Sequence, residues 1–215
     1  MPQREHSAQL VWRDWLYSEV LRLLDSSKGV IITGAAGTGK TSAILSIVQS
    51  SCFTQTRSQA SQSLQTLASQ VLGYHFCQAE NSDTCSVGHW VHNLAYQLSQ
   101  VPGLSSYHTL LSTQPDISAS LALARCIADP GTALLTGILQ PLQTLRELGQ
   151  ITLSNGVLLI DALCEDDLHR PDYGDTITSF INRHLDSFPD WLHVVCSVRS
   201  DKKEITCKLP FQNIR

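Results

Sequence analysis

The apolar residues of this chain occur in two patterns, short uninterrupted runs and repeats at helical spacing. Short apolar runs occur at 29–33, 71–77, 156–161 and 191–198, and another begins at 211. The first run, Gly29-Val30-Ile31-Ile32-Thr33, is largely β-branched and does not alternate with polar residues, which is typical of a parallel strand covered on both faces. These runs predict five strands, of which 156–161 is the strongest.

Helical periodicity fills the intervals between the strands. In the first helix, Leu16, Val20, Leu23 and Leu24 fall on one face at the i, i+4, i+7, i+8 spacing. The pattern predicts helices at 11–25, 40–49, 86–98, 105–149, 175–188 and 201–208. We expect the longest of them to break at 129–131 and to kink or restart at Pro141.

The segment 53–69 has a different character because it is rich in Ser, Gln and Thr. It predicts a mobile surface insertion with a helical turn at 64–68. Elsewhere, strands and helices alternate, which predicts an α/β fold with a parallel sheet and right-handed crossovers.

A complete phosphate-binding motif, G-x-x-x-x-G-K-T, lies between the first strand and the second helix. It consists of Gly34, Ala35, Ala36, Gly37, Thr38, Gly39, Lys40 and Thr41. Glycines let the backbone curl into a nest of N–H groups, and the helix that follows adds the positive end of its dipole. Lys40 supplies an ammonium for the β- and γ-phosphates, and the Thr41 hydroxyl is a hard ligand for Mg²⁺. We include Ser42, the next residue, in this nucleotide-binding set and predict ATP or ADP with Mg²⁺ as cofactors.

Three further residues predict a reaction centre. Asp161 ends the apolar strand 156–161, where a carboxylate helps to hold Mg²⁺ together with Thr41. Glu165 follows in the next loop and either orients the attacking water or is a plain surface acid. Arg199 ends another strand, from which a guanidinium reaches a γ-phosphate. Asp161, Glu165 and Arg199 are therefore the candidate catalytic residues.

These features together predict a three-layer P-loop NTPase fold. We expect a mostly parallel sheet of about five strands in the order 5-1-4-3-2, with helices on both faces. Residues 1–28 form a leader helix, and 29–215 form the NTPase core, which stops where the fifth strand is forming.

Composition excludes several classes of protein. The formal net charge is −4, from 15 basic and 19 acidic residues, which argues against a broad nucleic-acid surface. No apolar run reaches membrane-spanning length, so we expect no membrane insertion. The chain has an odd number of scattered cysteines, seven, and no apolar signal segment, which predicts a reduced, cytoplasmic protein.

A cluster of potential zinc ligands needs separate consideration. It consists of His75, Cys77, Cys85, His89 and His92. Their spacing matches no usual zinc finger or ribbon, and cysteine and histidine are ordinary core residues. We therefore expect no zinc.

The order of strand, glycine loop, acidic strand and strand-end arginine resembles the STAND class of NTPases, which are related to NACHT proteins. Trp12-Arg13-Asp14-Trp15-Leu16 resembles the arginine motif that opens such domains, which implies that Arg13 contacts the nucleotide. The segments 74–80, 171–176 and 209–211 resemble the TANC family. TANC proteins are large cytoplasmic scaffolds with ankyrin and tetratricopeptide repeats, found at postsynaptic densities. Cys164 departs from the Asp or Asn of related STAND proteins, which predicts slow hydrolysis.

The resemblance implies a nucleotide-dependent switch or assembly module of a larger scaffold, with other proteins as partners and homo-oligomers possible. Two alternatives stay open. A small-molecule kinase has a similar length, but the arginine-rich lid it needs is missing after 105–149, where only Arg125 and Arg146 occur. A purely structural module with a decayed nucleotide site is the other alternative, although such a module has no reason to retain Lys40 and Thr41.

Overall fold

The computed structural model describes residues 13–54, 60–165 and 174–215. The strands are β1 (Gly29–Gly34), β2 (Val71–Phe76), β3 (Gly156–Asp161), β4 (Leu192–Arg199) and β5 (Gln212–Ile214). The helices are α1 (Asp14–Leu24), α2 (Lys40–Gln49), α3 (Gln62–Ser69), α4 (Val87–Gln100), α5 (Ser105–Thr113), α6 (Pro115–Ser120), α7 (Leu123–Ala128), α8 (Pro130–Leu134), α9 (Gln140–Glu147), α10 (Ile177–His184) and α11 (Lys203–Thr206). Predictions made for residues 1–12, 55–59 and 166–173, including Trp12 and the first half of the 171–176 segment, lie outside the described residues.

The five strands form one parallel sheet in the order β2-β3-β4-β1-β5. This is the predicted order 5-1-4-3-2 read from the opposite edge, so the predicted topology is confirmed. Because β4 lies between β1 and β3, the strand that carries the glycine loop and the strand that carries Asp161 are separated by one strand.

Two hydrophobic clusters, one on each face of the sheet, produce the three layers. In β1, Ile31 packs into the cluster with α4 to α10, whereas Val30 and Ile32 pack into the cluster with α1, α2 and α3. In β3, Leu158 and Leu159 divide in the same way. Successive side chains of a strand point to opposite faces, so strands that are apolar throughout require cover on both sides. The predicted three-layer α/β architecture is confirmed.

The polar segment before β2 contains a longer helix than the helical turn that we predicted at 64–68. The side chain of Ser61 accepts a hydrogen bond from the Leu64 backbone N–H at 3.3 Å and caps α3, a helix of eight residues. Leu64, Leu67 and Ala68 are buried against the core. The C-terminal half of the predicted insertion is therefore a packed helix, because its few apolar residues share one face at i, i+3, i+4 spacing.

The region 105–149 contains more breaks than we predicted. It divides into α5, α6, α7 and α8, then a π-helical turn at Leu135–Leu139 and finally α9. Pro115 and Pro130 each occupy the first position of a new helix, where a missing N–H does no harm. Pro141 lies at the start of α9 directly after the π-helical turn, which agrees with the predicted restart.

The remaining helices and strands agree with prediction to within a few residues, with one exception. The predicted helix 175–188 is shorter, because α10 spans Ile177–His184 and is followed by a 3₁₀ turn at Leu185–Ser187. Thr176 caps α10 by accepting a hydrogen bond from the Ser179 N–H at 3.2 Å. Within the described residues, no helix is both long and apolar enough to cross a lipid bilayer.

A buried tyrosine supports the π-helical turn and provides a test of the packing. Tyr107 is fully buried, and its hydroxyl donates to the Gly137 carbonyl at 2.8 Å. Tyr107→Phe leaves that buried carbonyl without its partner, so we expect a loss of about 1–3 kcal/mol in unfolding free energy. At roughly 2–4 °C per kcal/mol, the loss is measurable by thermal melting.

The matched control is Tyr96→Phe, since the Tyr96 side chain is 66% exposed. It should melt at the wild-type temperature. Equal melting temperatures for the two variants would show that the Tyr107 hydroxyl does not stabilise this turn.

Candidate functional site

The glycine loop connects β1 directly to α2. Gly37 and Gly39 have φ angles of 77° and 82°, which lie in the left-handed region. A residue with a Cβ is strained there, so the chain needs glycine at both positions. Gly39 is also the N-cap of α2 and supplies no side-chain cap.

The first turn of α2 therefore presents free backbone donors. The Ala43 N–H donates to the Gly39 carbonyl at 3.0 Å, which is the first intrahelical bond. The preceding N–H groups, those of Lys40, Thr41 and Ser42, have no acceptor within the helix. Donors grouped at the positive end of a helix dipole are suited to binding an anion.

Lys40 lies across the loop. Its ammonium donates to the Gly34 carbonyl at 2.8 Å and to the Ala35 carbonyl at 2.9 Å. The Thr38 hydroxyl donates to the same Ala35 carbonyl at 2.9 Å. Thr41 is exposed, so its hydroxyl is open to solvent and to a metal ion.

Arg13, which precedes α1, contacts the outer side of the loop. Its guanidinium donates to the Thr38 carbonyl at 2.7 Å and to the Gly39 carbonyl at 2.8 Å. The resemblance implied a contact between Arg13 and a nucleotide, and the structure adds a contact between Arg13 and the loop backbone. No sequence pattern indicated this long-range pair.

Asp161 is a buried carboxylate at the end of β3. It is 2% exposed and accepts a hydrogen bond from the Ser197 hydroxyl at 2.5 Å. The Ser197 oxygen in turn accepts from the Ala162 N–H at 2.9 Å. Sequence reasoning missed Ser197, although a polar residue within the apolar run 194–198 is a signal for a partner in the core.

The backbone is strained directly after Asp161. Ala162 has a φ of 54° and is the sole non-glycine residue with a positive φ in the part of the chain that the structure describes. Such strain persists when the surrounding structure enforces it, and it occurs preferentially at functional sites. The Ser197 hydrogen bond to the Ala162 N–H is one such restraint.

Strand register brings the predicted residues to one edge of the sheet. Gly34 at the end of β1 is paired with Arg199 at the end of β4. Asp161 at the end of β3 lies beside Ser197 of β4. Neighbouring strands are about 4.8 Å apart, so β3 and β1 are separated by roughly 10 Å. Open α/β sheets hold their ligands outside this carboxyl edge.

Glu165 lies in a tight turn after β3. Its N–H donates to the Ala162 carbonyl at 2.8 Å. Asp201 makes the largest contribution to raising the pKa of the Arg199 guanidinium, and the Glu165 carboxylate is close enough to contribute as well. The Cys164 sulfur lies 3.8 Å from the Glu165 carboxylate. Burial raises the pKa of the Cys164 thiol, so this neighbour is a neutral, weak donor.

Arg199 is already paired within the protein. Its guanidinium donates to both carboxylate oxygens of Asp201, at 3.1 and 2.8 Å. Both side chains are about half exposed, at 45% and 57%. The guanidinium holds the pKa of the Asp201 carboxyl below its usual range. Asp201 was not among the predicted residues, although an acid two residues after Arg199 in the sequence indicates a possible ion pair.

All the candidate site residues described above lie within one match to a known protein family. The family described as nephrocystin 3, N-terminal, matches residues 8–199. The chain belongs to this family. The matched range contains every candidate site residue from Arg13 to Arg199, so the glycine loop and the acidic strand are both parts of the nephrocystin 3 N-terminal domain.

The match shows the nephrocystin 3 N-terminal family and does not test the narrower resemblance to TANC proteins. Of the TANC-like segments, 74–80 spans the end of β2, and 209–211 includes buried Leu209 and Phe211. Residues 171–173 of the third segment, 171–176, lie outside the described residues. Membership of the nephrocystin 3 N-terminal family is therefore shown, and the TANC resemblance stays a prediction.

In this nephrocystin 3 N-terminal domain, the histidines and cysteines of the zinc hypothesis make separate contacts. His75 Nε2 lies 2.6 Å from the Thr84 carbonyl, and His92 Nδ1 lies 2.8 Å from the Leu121 carbonyl. The Cys85 sulfur approaches the Glu165 carbonyl at 3.6 Å. Over the described residues, no three His, Cys, Asp or Glu side chains are arranged to hold a metal ion.

Proposed function

We propose that this domain binds Mg·ATP through the glycine loop and acts as a nucleotide-dependent module of a larger cytoplasmic scaffold. The observation that carries the proposal is the uncapped start of α2, where the Lys40, Thr41 and Ser42 N–H groups have no intrahelical acceptor. Such donors need an anion or water. A polyphosphate satisfies several of them at once, which a single chloride cannot do.

Lys40 supports the same assignment. Its ammonium is within hydrogen-bond distance of two loop carbonyls, at the mouth of the nest, and has a flexible stem. It can exchange these neutral acceptors for phosphate oxygens, which are charged and make stronger hydrogen bonds. The exposed Thr41 hydroxyl and the Asp161 carboxylate are the oxygen ligands that fit Mg²⁺, which neutralises charge between the β- and γ-phosphates when bound.

We further propose that Arg199 and Glu165 respond to the γ-phosphate. Arg199 lies opposite Gly34 in the strand register, and the negative charge of Glu165 acts on the Arg199 guanidinium. The family match and the TANC-like segments support a role inside a larger scaffold, of the TANC type, where ATP and ADP favour different arrangements.

Lys40→Ala tests the proposed function directly. Wild-type protein with Mg·ATP at a hundredfold excess over Kd should gain about 2.7 kcal/mol of stability. This corresponds to a rise of roughly 5–10 °C in melting temperature for a domain of this size. Without nucleotide, Lys40→Ala should melt at most about 2–4 °C lower, because it loses partly exposed contacts, and it should show little rise with Mg·ATP.

One further variant and three possible outcomes complete this experiment. Asp161→Asn should keep the response to ATP in EDTA but lose the increment that Mg²⁺ adds. Equal rises in wild type and Lys40→Ala would show that the loop is not the binding site. No response of nucleotide-free wild type to millimolar ATP would favour a decayed module, and phosphate transfer to a small-molecule acceptor would favour a kinase.

Arg199 and Asp201 predict opposite changes in nucleotide preference. Arg199→Ala should reduce the preference for ATP over ADP, since the γ-phosphate loses a cation. Asp201→Asn releases the guanidinium and should increase that preference, in each case by about twofold to fivefold for an exposed pair. Dissociation constants for both nucleotides provide the measurement.

Glu204→Gln is the control for this pair, because Glu204 is a nearby exposed acid that contacts Lys202 rather than Arg199. It should leave the ATP to ADP ratio unchanged. A reduced ratio in Asp201→Asn would refute the idea that Asp201 competes with the γ-phosphate.

Hydrolysis should be slow in the isolated domain. The Cys164 thiol, a weak hydrogen-bond donor, lies beside the carboxylate of Glu165. Arginines supplied by other domains can raise such rates by about 10³–10⁵. We expect steady-state turnover far below ~10 s⁻¹ and a further loss in Glu165→Gln with Mg·ATP affinity retained. Turnover near ~10 s⁻¹, or an unchanged rate in Glu165→Gln, would contradict this assignment.

A further inference from the structure

Arg13 makes a two-point contact that joins the start of α1 to the glycine loop. One guanidinium nitrogen donates to the Thr38 carbonyl at 2.7 Å, and the other donates to the Gly39 carbonyl at 2.8 Å. The residues are 25 and 26 positions apart in the chain. Both acceptors are backbone atoms, so the contact holds the path of the loop rather than a side chain.

The geometry of a trans peptide gives this contact a consequence on the other side of the loop. Within one peptide plane, the C=O of a residue and the N–H of the next residue point in opposite directions. Holding the Thr38 carbonyl toward Arg13 therefore turns the Gly39 N–H away from Arg13. Holding the Gly39 carbonyl does the same for the Lys40 N–H, which is one of the unsatisfied donors at the start of α2.

The surroundings of Arg13 fix both ends of the contact. The Arg13 carbonyl accepts from the Leu16 N–H at 2.8 Å and so begins α1. Leu16, Tyr17 and Val20 are buried and anchor that helix to the core. At the other end, a Cβ on Gly39 would lie 2.4 Å from an Arg13 guanidinium nitrogen. Gly39 thus serves the backbone conformation and the close approach of Arg13 at once.

We propose that Arg13 is a positioning residue that pre-orients the Gly39 and Lys40 N–H groups toward the phosphates, without touching the nucleotide itself. This inference rests on the proposed function. A guanidinium suits the task because its planar fork reaches two acceptors with fixed geometry, whereas a lysine ammonium is a point charge. The predicted ligand chemistry is the polyphosphate chain alone, independent of base and ribose.

The test compares Arg13→Gln and Arg13→Lys with wild type for two ligands, Mg·ATP and Mg·tripolyphosphate. Dissociation constants are measured by calorimetry at a temperature well below all melting points. We expect Arg13→Gln to weaken both ligands by the same factor, about tenfold, because two charge-assisted restraints on the loop are lost. Arg13→Lys should recover part of this loss for both ligands.

Arg22→Gln is the matched control on the same helix. The Arg22 side chain is 64% exposed, and its ion pair is with Glu19 at the surface rather than with the glycine loop. It should bind both ligands as wild type does. In addition, the amide NMR signals of Gly39 and Lys40 should shift in nucleotide-free Arg13→Gln and not in Arg22→Gln.

Each other outcome has a distinct meaning. If wild type binds neither ligand, the proposed function fails and this inference fails with it. If wild type binds both and Arg13→Gln binds equally well, or only melts at a lower temperature, the inference is overturned while the proposed function stands. If Arg13→Gln weakens ATP but not tripolyphosphate, Arg13 contacts the base or ribose and the positioning role is wrong.

Discussion

The site depends on one constraint, which is that every neighbouring pair of strands in this sheet is parallel. The carboxyl ends of all strands therefore lie at one edge, and interior strands have apolar neighbours on both faces. β3 is buried along its whole length, including Asp161, the charged residue that ends this strand at the carboxyl edge. Gly34 and Arg199 end their strands at the same edge. Ser197, a buried polar residue inside β4, donates its hydrogen bond to Asp161 itself.

The glycine loop adds a second constraint, the direction of its peptide groups. Two cations hold its carbonyls: Lys40 contacts Gly34 and Ala35, and Arg13 contacts Thr38 and Gly39. The two contacts differ in what phosphate binding demands of them. Under the proposed function, Lys40 exchanges its carbonyls for a phosphate, whereas Arg13 keeps its own. One cation is then an exchangeable contact and the other a permanent restraint on the loop.

Much of this arrangement was predictable because it follows from local patterns. Apolar runs identified the strands, and the G-x-x-x-x-G-K-T spacing identified the loop together with its position between β1 and α2. The breaks within 105–149 were harder to predict, because tertiary packing selects the helix starts and prolines mark only some of them; α7 begins at Leu123 without a proline. Contacts between distant residues, such as Arg13 with Thr38, leave no periodic signal at all.

In the proposed nucleotide switch, the exposure of Arg199 limits how strongly this residue can respond to the γ-phosphate. A two-state equilibrium moves only as far as the ligand's affinities for the two states differ, and a full reversal from 1:99 to 99:1 needs a difference of about 10⁴. Arg199 and Asp201 are both about half exposed, so exchanging one partner for a γ-phosphate changes affinity by about fivefold at most. Arg199 alone is therefore too weak a reporter for a decisive switch. A strong response to ATP requires that other groups, from Glu165 or from a neighbouring module, contact the γ-phosphate in one state and lose it in the other.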